Sequence, residues 1–523
     1  LPDSLFVFPP RGGTIIRMRL WAIIVAAVLS AACSRVPLPP DTVVIGVETG
    51  PATLDPRFAA DAVSVNACSL IHAGLMRRDE NMALRPYLAE SVERKDPVTY
   101  VIRLRAAVRF HDDRELTSAD VRYTLESILN GVPSSPLKGQ LGDVASVENP
   151  DPLTVVVKLK TPFAPFAGNL TFGIVPTGSG DLSRNPVGAG PFRFVSYERG
   201  QRLELTRSPV FFGEKPKLAG VIFKVVPDET VRLLELENGN VHIVTSPITP
   251  AVLPWLEKQK NITALKRAGS NVSYIGFNLR DRYLKDARVR RAIAHAIDRN
   301  AIITHLLKGQ ALKTETLVAS ANPFHAAGLA ERRYDPAESK RLLDEAGYSD
   351  PGNGVPRFTL VYKTSKNPTR QKIAEIFAQY LRAVGIGMEI KSFEWGTFFA
   401  DIKSGNFQMY SLTWVGMVDP DILRFIFHST SAPPDGANRG GYENHRVDEL
   451  LDAGRGQADA DRRKEIYGEV QAILSEELPY ITLWTSVNVA AVNRRVKGFV
   501  VYPDESLDSL ARVTLSPENG RGE

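Results

Sequence analysis
A strand–helix–strand pattern occurs twice in this chain, and it narrows the possible folds more than any other feature. In the first copy, residues 221–226 are an apolar run of strand length. Asp228 then caps a helix that stops at Gly239, and residues 241–244 form the next strand. In the second copy, residues 358–363 form a strand. The helix over 370–384 places Ile373, Ile376, Phe377, Tyr380 and Leu381 on one side, Gly385 ends it, and a strand covers 386–390. Two adjacent capped helices, 286–297 and 298–307, lie between the copies. Asp335-Pro336-Ala337-Glu338 opens a further helix, which Gly347 stops. Further strands are expected over 43–47, 99–104 and 153–159. A hairpin spans 192–197 and 202–206 around Arg199-Gly200. Thr117 starts a helix with Asp120 at the capping-box spacing, and Val121, Leu125, Ile128 and Leu129 form its apolar face. A late helix covers 461–474 and a late strand 480–484. Alternating strands and helices of this kind predict an α/β fold with mixed sheets, arranged as two lobes with a ligand cleft between them.

At 523 residues the chain exceeds one ordinary domain, and two or three are expected. Its net charge of +5 is small for that length and no dense Lys/Arg block is present, so nothing suggests nucleic acid. Catalytic signatures are missing too. The eight histidines show no His-Glu-x-x-His spacing, and there is neither a Gly-x-Ser-x-Gly elbow nor a Walker loop. Gly188-Ala189-Gly190-Pro191 is too short to cradle phosphate and reads as a tight turn. His111-Asp112-Asp113 reads as a solvated turn before an acid/base cluster. No cofactor or metal is expected. An exported hydrolase stays open as an alternative, since two carboxylates facing each other across a cleft leave no sequence signature.

Met18-Arg19, the apolar run 20–29 and Ser30-Ala31-Ala32-Cys33 follow the order of a secretory signal. The small residues before Cys33 resemble the lipobox of bacterial lipoproteins. That resemblance implies lipid on Cys33, with residues 1–33 as leader; a simple membrane anchor or uncleaved signal is the alternative. Residues 34–40, with Pro37, Pro39 and Pro40, form a short stiff tether. With Cys33 acylated, Cys68 has no disulfide partner, and its apolar neighbours Leu70 and Ile71 suggest a buried inert thiol.

Six stretches, in order, resemble the extracytoplasmic solute-binding proteins of ABC transporters, family 5, the oligopeptide, dipeptide and nickel type. They are Thr53-Leu54-Asp55-Pro56; Ile71-His72-Ala73-Gly74-Leu75 through Arg85-Pro86-Tyr87-Leu88-Ala89-Glu90; and residues 100–121 with Phe110-His111-Asp112 and Leu116-Thr117-Ser118-Ala119-Asp120. Then come Asn185-Pro186 to Pro191-Phe192; Phe277-Asn278 with residues 286–293; and Trp414 with Asp419-Pro420-Asp421. The resemblance implies a large three-domain form of the two-lobed periplasmic-binding-protein fold. Lobe I would be 41–72, 185–265 and 485–523, an extra subdomain 73–184, and lobe II 266–484. It further implies a non-enzymatic, monomeric receptor that closes on its ligand by hinge bending and delivers it to an ABC permease. The implied ligand is a short peptide; an oligosaccharide, an opine-like compound or a metal chelate is the alternative. In peptide-binding relatives an acidic residue three places after the Trp grips the peptide amine, and here that position is Met417. Asp419 is the next carboxylate. The implied ligand contacts are Trp414, Val415, Gly416, Met417 and Asp419. Arg370 is a further candidate for a ligand carboxylate. Trp414 could equally fill the core, and Arg370 could be an exposed helix residue.

Overall fold
The computed structural model describes residues 40–517 apart from 132 and 246. The leader with Cys33, and the tether up to residue 39, lie outside the described residues.

Two long antiparallel strands, Ile262–Phe277 and Tyr480–Asn493, run through the middle of an eleven-stranded mixed sheet. On one side of them the order is Ile243–Val244, Thr42–Val47, Gly220–Val225, Arg202–Arg207, Phe192–Glu198. On the other it is Met409–Trp414, Phe358–Ser365, Ile386–Phe393. Ala311–Lys313 adds to the second long strand. The two long strands are therefore what the halves of the sheet share. Their pairing breaks between Ala268 and Val272, leaving Gly269, Ser270 and Asn271 outside the ladder. A Cβ on Gly269 would lie 2.5 Å from Asn488 Oδ1, so a side chain there would have to displace Asn488, which donates to Tyr502 O and Pro503 O.

These central strands exceed or escape the sequence expectation. The strand expected over 480–484 continues to Asn493. It is buried on both faces along most of its length, so its sequence reads as an apolar run without alternation. Ile262–Phe277 was not expected as a strand at all, because Lys266, Arg267, Gly269 and Asn271 interrupt its apolar pattern. The first strand–helix–strand unit also differs. Thr42–Val47 inserts between Gly220–Val225 and Ile243–Val244 and pairs parallel with both. In the second unit, Phe358–Ser365 and Ile386–Phe393 are direct parallel neighbours. The helix expected over 298–307 is a short α-turn, Arg299–Ala301, followed by a π-turn, Ile302–Leu306.

A separate four-stranded antiparallel sheet has the order Ala89–Asp96, Thr99–Leu104, Thr154–Leu159, Val144–Asp151. Tyr100, Ile102, Leu104, Val155, Val157 and Leu159 alternate inward, as in a sheet with one wet face. Helix Ser118–Asn130 covers the dry face with Val121, Leu125 and Ile128. Its entry is fixed by the Thr117 N–H donating to Asp120 Oδ2 at 2.8 Å.

Where the chain leaves this unit for the first half of the large sheet it packs backbone against backbone, and the buried Arg57 guanidinium ties the two by donating to Gly180 O. The Gly190 N–H donates to Ile71 O at 2.8 Å, and a Cβ on Gly188 would lie 2.1 Å from that same oxygen. Close approach, rather than a left-handed turn, is what the glycines of 188–190 provide. His111 sits in the turn expected of it, and its Nε2 lies 3.0 Å from Gly190 O. Cys68 is buried and free, and burial pushes its thiol pKa up.

Candidate functional site: a cavity between the two halves
A cavity of about 770 Å³ opens beside the register break, with one wall from each half of the sheet. The first wall follows from the strand Met409–Trp414. It ends on Trp414, turns at Gly416 (φ 65°), and continues through Asp419 into the short helix Ile422–Phe427. The Gly416 N–H donates to Asn271 Oδ1 at 2.9 Å, tying this wall to the break in the central strand.

The residues expected to meet a ligand separate here. Trp414, Val415, Gly416, Met417 and Asp419 all line the cavity, whereas Arg370 does not. Trp414 is half-buried. Its ring lies 6.1 Å from Tyr274 at 12°, its edge faces Phe425, and the Arg439 guanidinium sits 5.5 Å from its centroid. It thus fills the core on one side and walls the cavity on the other. Val415 is 75% exposed and offers apolar surface to the cavity. Met417 is buried among Leu423, Ile426 and Phe427. Arg370 instead stacks on Trp395 at 5.1 Å, beside the far edge of the sheet, because Asn367 caps its helix there.

Asp419 is not available as a bare carboxylate. Arg463 grips it through two bonds of 2.6 and 2.9 Å, and the Asp421 N–H donates to it at 2.8 Å. Asp421 is engaged in turn by Arg455 at 3.1 Å and by the Tyr467 hydroxyl at 3.2 Å. Burial nevertheless raises the Asp421 pKa, even against Arg455.

The opposite wall was invisible in the sequence. It is the loop carrying Asp504, Ser506 and Asp508, held by Asn66 of helix Ala62–Ile71. Asn66 donates to Glu505 O at 3.2 Å and accepts from the Leu507 N–H at 3.3 Å. The same loop is tied to the register break, since Ser270 N–H donates to Pro503 O at 3.0 Å. Asp504 is solvent-accessible on the wall, but the surrounding protein strips part of its hydration and raises its pKa, with Arg78 opposing. Desolvation raises Asp508 as well, and the Ser506 and Ser69 hydroxyls offset part of it. Arg77 and Arg78 reach the cavity from the strand Met76–Arg78. Burial lowers the Arg78 pKa while Asp419 and Asp504 hold its charge. The cavity therefore presents both signs of charge, with indole, valine and phenylalanine surface between them. Only one signal could have pointed to Asp504 and Asp508, their clustering with Glu505 in five residues, and such clusters are common in loops.

Among the described residues no group of three or more His, Cys, Asp or Glu side chains could hold a metal ion, and no helix is long and apolar enough to cross a membrane. Residues 83–433 match the family model for bacterial extracellular solute-binding proteins, family 5 (middle part), which is well over half of the chain. The chain belongs to that family. Its members are extracytoplasmic binding proteins that work with ABC permeases and are not enzymes.

The family 5 protein is 26% identical over 450 residues to the dipeptide-binding protein of Escherichia coli (strain K12), covering 80% of this chain and 84% of that one. Solved structures that share its fold include two with different ligands. NikZ from Campylobacter jejuni, in complex with Ni(L-His), superposes with a TM-score of 0.73 at 26% identity, over 91% of this chain and 100% of that one. DppA from Helicobacter pylori, in complex with the peptide STSA, superposes with a TM-score of 0.72 at 25% identity, over 91% and 98%.

Proposed function
We propose that this family 5 protein captures a short peptide in the 770 Å³ cavity and delivers it to an ABC permease after closing around it. The observation that carries the reading is the placement of the cavity. It lies where two halves of one sheet are joined by two strands, and both its walls are hydrogen-bonded to the unpaired residues 269–271. A bend at that break would move the walls relative to each other with little loss of packing. Lobe I (41–72, 185–265, 485–523), the extra subdomain (73–184) and lobe II (266–484) are the bodies that move. Unmodified peptides suit a cavity with both signs of charge, and two relatives are named for dipeptide or solved with a peptide.

The pairing of Asp419 with Arg463 favours one second reading, a solute without an ammonium group, such as a chelate or an oligosaccharide. Native mass spectrometry of gently purified protein, followed by denaturation to release the guest, separates the two. A mixture of peptide masses supports the first reading, and a single non-peptide mass replaces it with the second. Recovery of added peptides in cleaved form would sink the receptor reading altogether.

The proposed receptor is a monomer tethered through lipid on Cys33. Partition of the wild type into detergent, and of Cys33→Ala into the aqueous phase, is the expected outcome; equal partition would refute the anchor.

A further inference from the structure
The four-stranded unit is joined to the large sheet's second half by guanidinium contacts at an exposed rim, whereas Arg57 in its junction with the first half is buried. Arg455 ends the helix His445–Gly456 at the cavity rim. Its Nη2 donates to Asp143 Oδ2 of the four-stranded unit at 2.6 Å, and its Nη1 donates to Asp421 Oδ2 at 3.1 Å. The guanidinium also lies 4.6 Å from the centroid of Phe163, on the same unit. One residue further on, Gly456 O accepts from Arg94 Nη1 at 3.0 Å. That carbonyl belongs to a helix end, where no intrahelical donor remains for it. Two arginines therefore cross the same gap in opposite directions. Arg455 reaches from the large sheet's second half to the small unit, and Arg94 reaches back.

We propose that Arg455, with Asp143, Phe163 and Arg94, is a latch that holds the four-stranded unit against the second half once a ligand is enclosed. The proposal rests on the closure described above. Its geometry suits a latch. The side chains of Arg455 and Asp143 are 29% and 31% exposed, so the bond forms at the rim, where water can replace it when the halves part. Asp421 stays with Arg455 on its own half, so the cation is never left unpaired on opening. Arg455, Asp421 and Phe163 line the cavity, whereas Asp143 and Arg94 do not. A ligand thus packs against the latch from inside, and the latch can be weakened from outside without touching the ligand wall.

Asp143→Ala and Arg94→Ala are the variants to test. Dissociation of a defined set of unmodified di- to tetrapeptides is timed for wild type and variants, and small-angle scattering is recorded with and without peptide. The expected result is dissociation faster by about two- to fivefold, with association little changed. An increase in the radius of gyration of the peptide-loaded variants is expected as well. Arg455→Ala combined with Asp143→Ala should be no worse than Arg455→Ala alone. Unchanged dissociation and unchanged scattering in both outside variants would overturn the latch. If no peptide binds the wild type, the peptide reading fails instead, and the latch is decided with the guest released from the purified protein as ligand: unaltered dissociation of that guest and unaltered scattering of the loaded variants overturn it. Unfolding curves matching the wild type are required for each variant.

Discussion
The small four-stranded unit has two junctions, and they differ in how deeply their contacts are buried. Against the first half of the large sheet it uses tightly packed backbone and the buried guanidinium of Arg57, which donates to Gly180 O and Ser127 Oγ. Gly188 and Gly190 lie on the carbonyls of Ile71 and Leu70, and Gly173 lies on His72, at distances that leave no room for a side-chain atom. Against the second half it uses long charged side chains, Arg455 to Asp143 and Arg94 to Gly456 O. Backbone contacts without side chains cannot slide or stretch without losing their hydrogen bonds. Guanidinium contacts at an exposed rim, unlike that of the buried Arg57, can be broken and remade, because both partners find water when apart. A protein that must move one junction and keep the other would distribute them this way.

The contrast can be broken most sharply at the glycines. Gly188→Val should destabilise the protein by about 3 kcal/mol or more, read from urea unfolding, since its Cβ would need to sit 2.1 Å from Ile71 O. A loss under about 1 kcal/mol would mean the junction yields, and the contrast would collapse.

Next comes pH. His72 is buried in the same junction, where burial and the nearby His111 lower its pKa from 6.5 to about 4. It is neutral in the folded state across a range where the unfolded chain takes up a proton. Stability is therefore complete above about pH 6.5 and falls as pH drops toward 4, by roughly 3 kcal/mol from this group. His72→Gln should flatten that part of the stability–pH curve; an unchanged slope would show that His72 is not its source.

The Asp419–Arg463 pair sharpens the contrast from within the second half, because its arginine is buried, as Arg57 is at the tight junction. Arg463→Met should cost about 2 kcal/mol, since it strands Asp419 beside the already desolvated Asp421. Calorimetry showing no change would mean that water enters and solvates the pair. The smallest effect belongs to the latch. Asp143→Ala should lower global stability by less than about 1 kcal/mol, and added salt should shrink even that difference. A larger or salt-insensitive loss would make the two junctions alike.

Much of the fold was legible because it depends on local chemistry. Asp228, Asp286 and Asp335 start helices where their side chains accept from first-turn N–H groups, and at another start Asp120 accepts from the Thr117 N–H. The alternation in 99–104 and 154–159 marks strands with one wet face. The Trp414–Asp419 segment could be placed on the cavity from sequence, since its resemblance to the family covers those residues. Arg370 could not, because a helix-start arginine looks the same whether it meets a ligand or, as here, Trp395.

By itself, then, the sequence determined most of the capped helices and alternating strands, the α/β class and the family, because caps, periodicity and short ordered motifs act over a few residues. Only the tertiary structure decided how those elements share a sheet. It placed Thr42–Val47 between two later strands and made 262–277 and 480–493 the spine of both halves. It also decided the site's charges. Asp419 is neutralised by a residue 44 positions away, and Arg455 meets Asp143 across 312. Asp504 and Asp508 become a cavity wall only because Asn66, more than 430 residues earlier, holds their loop. Ion pairing and desolvation depend on distance in space, and no local pattern in the chain encodes that distance.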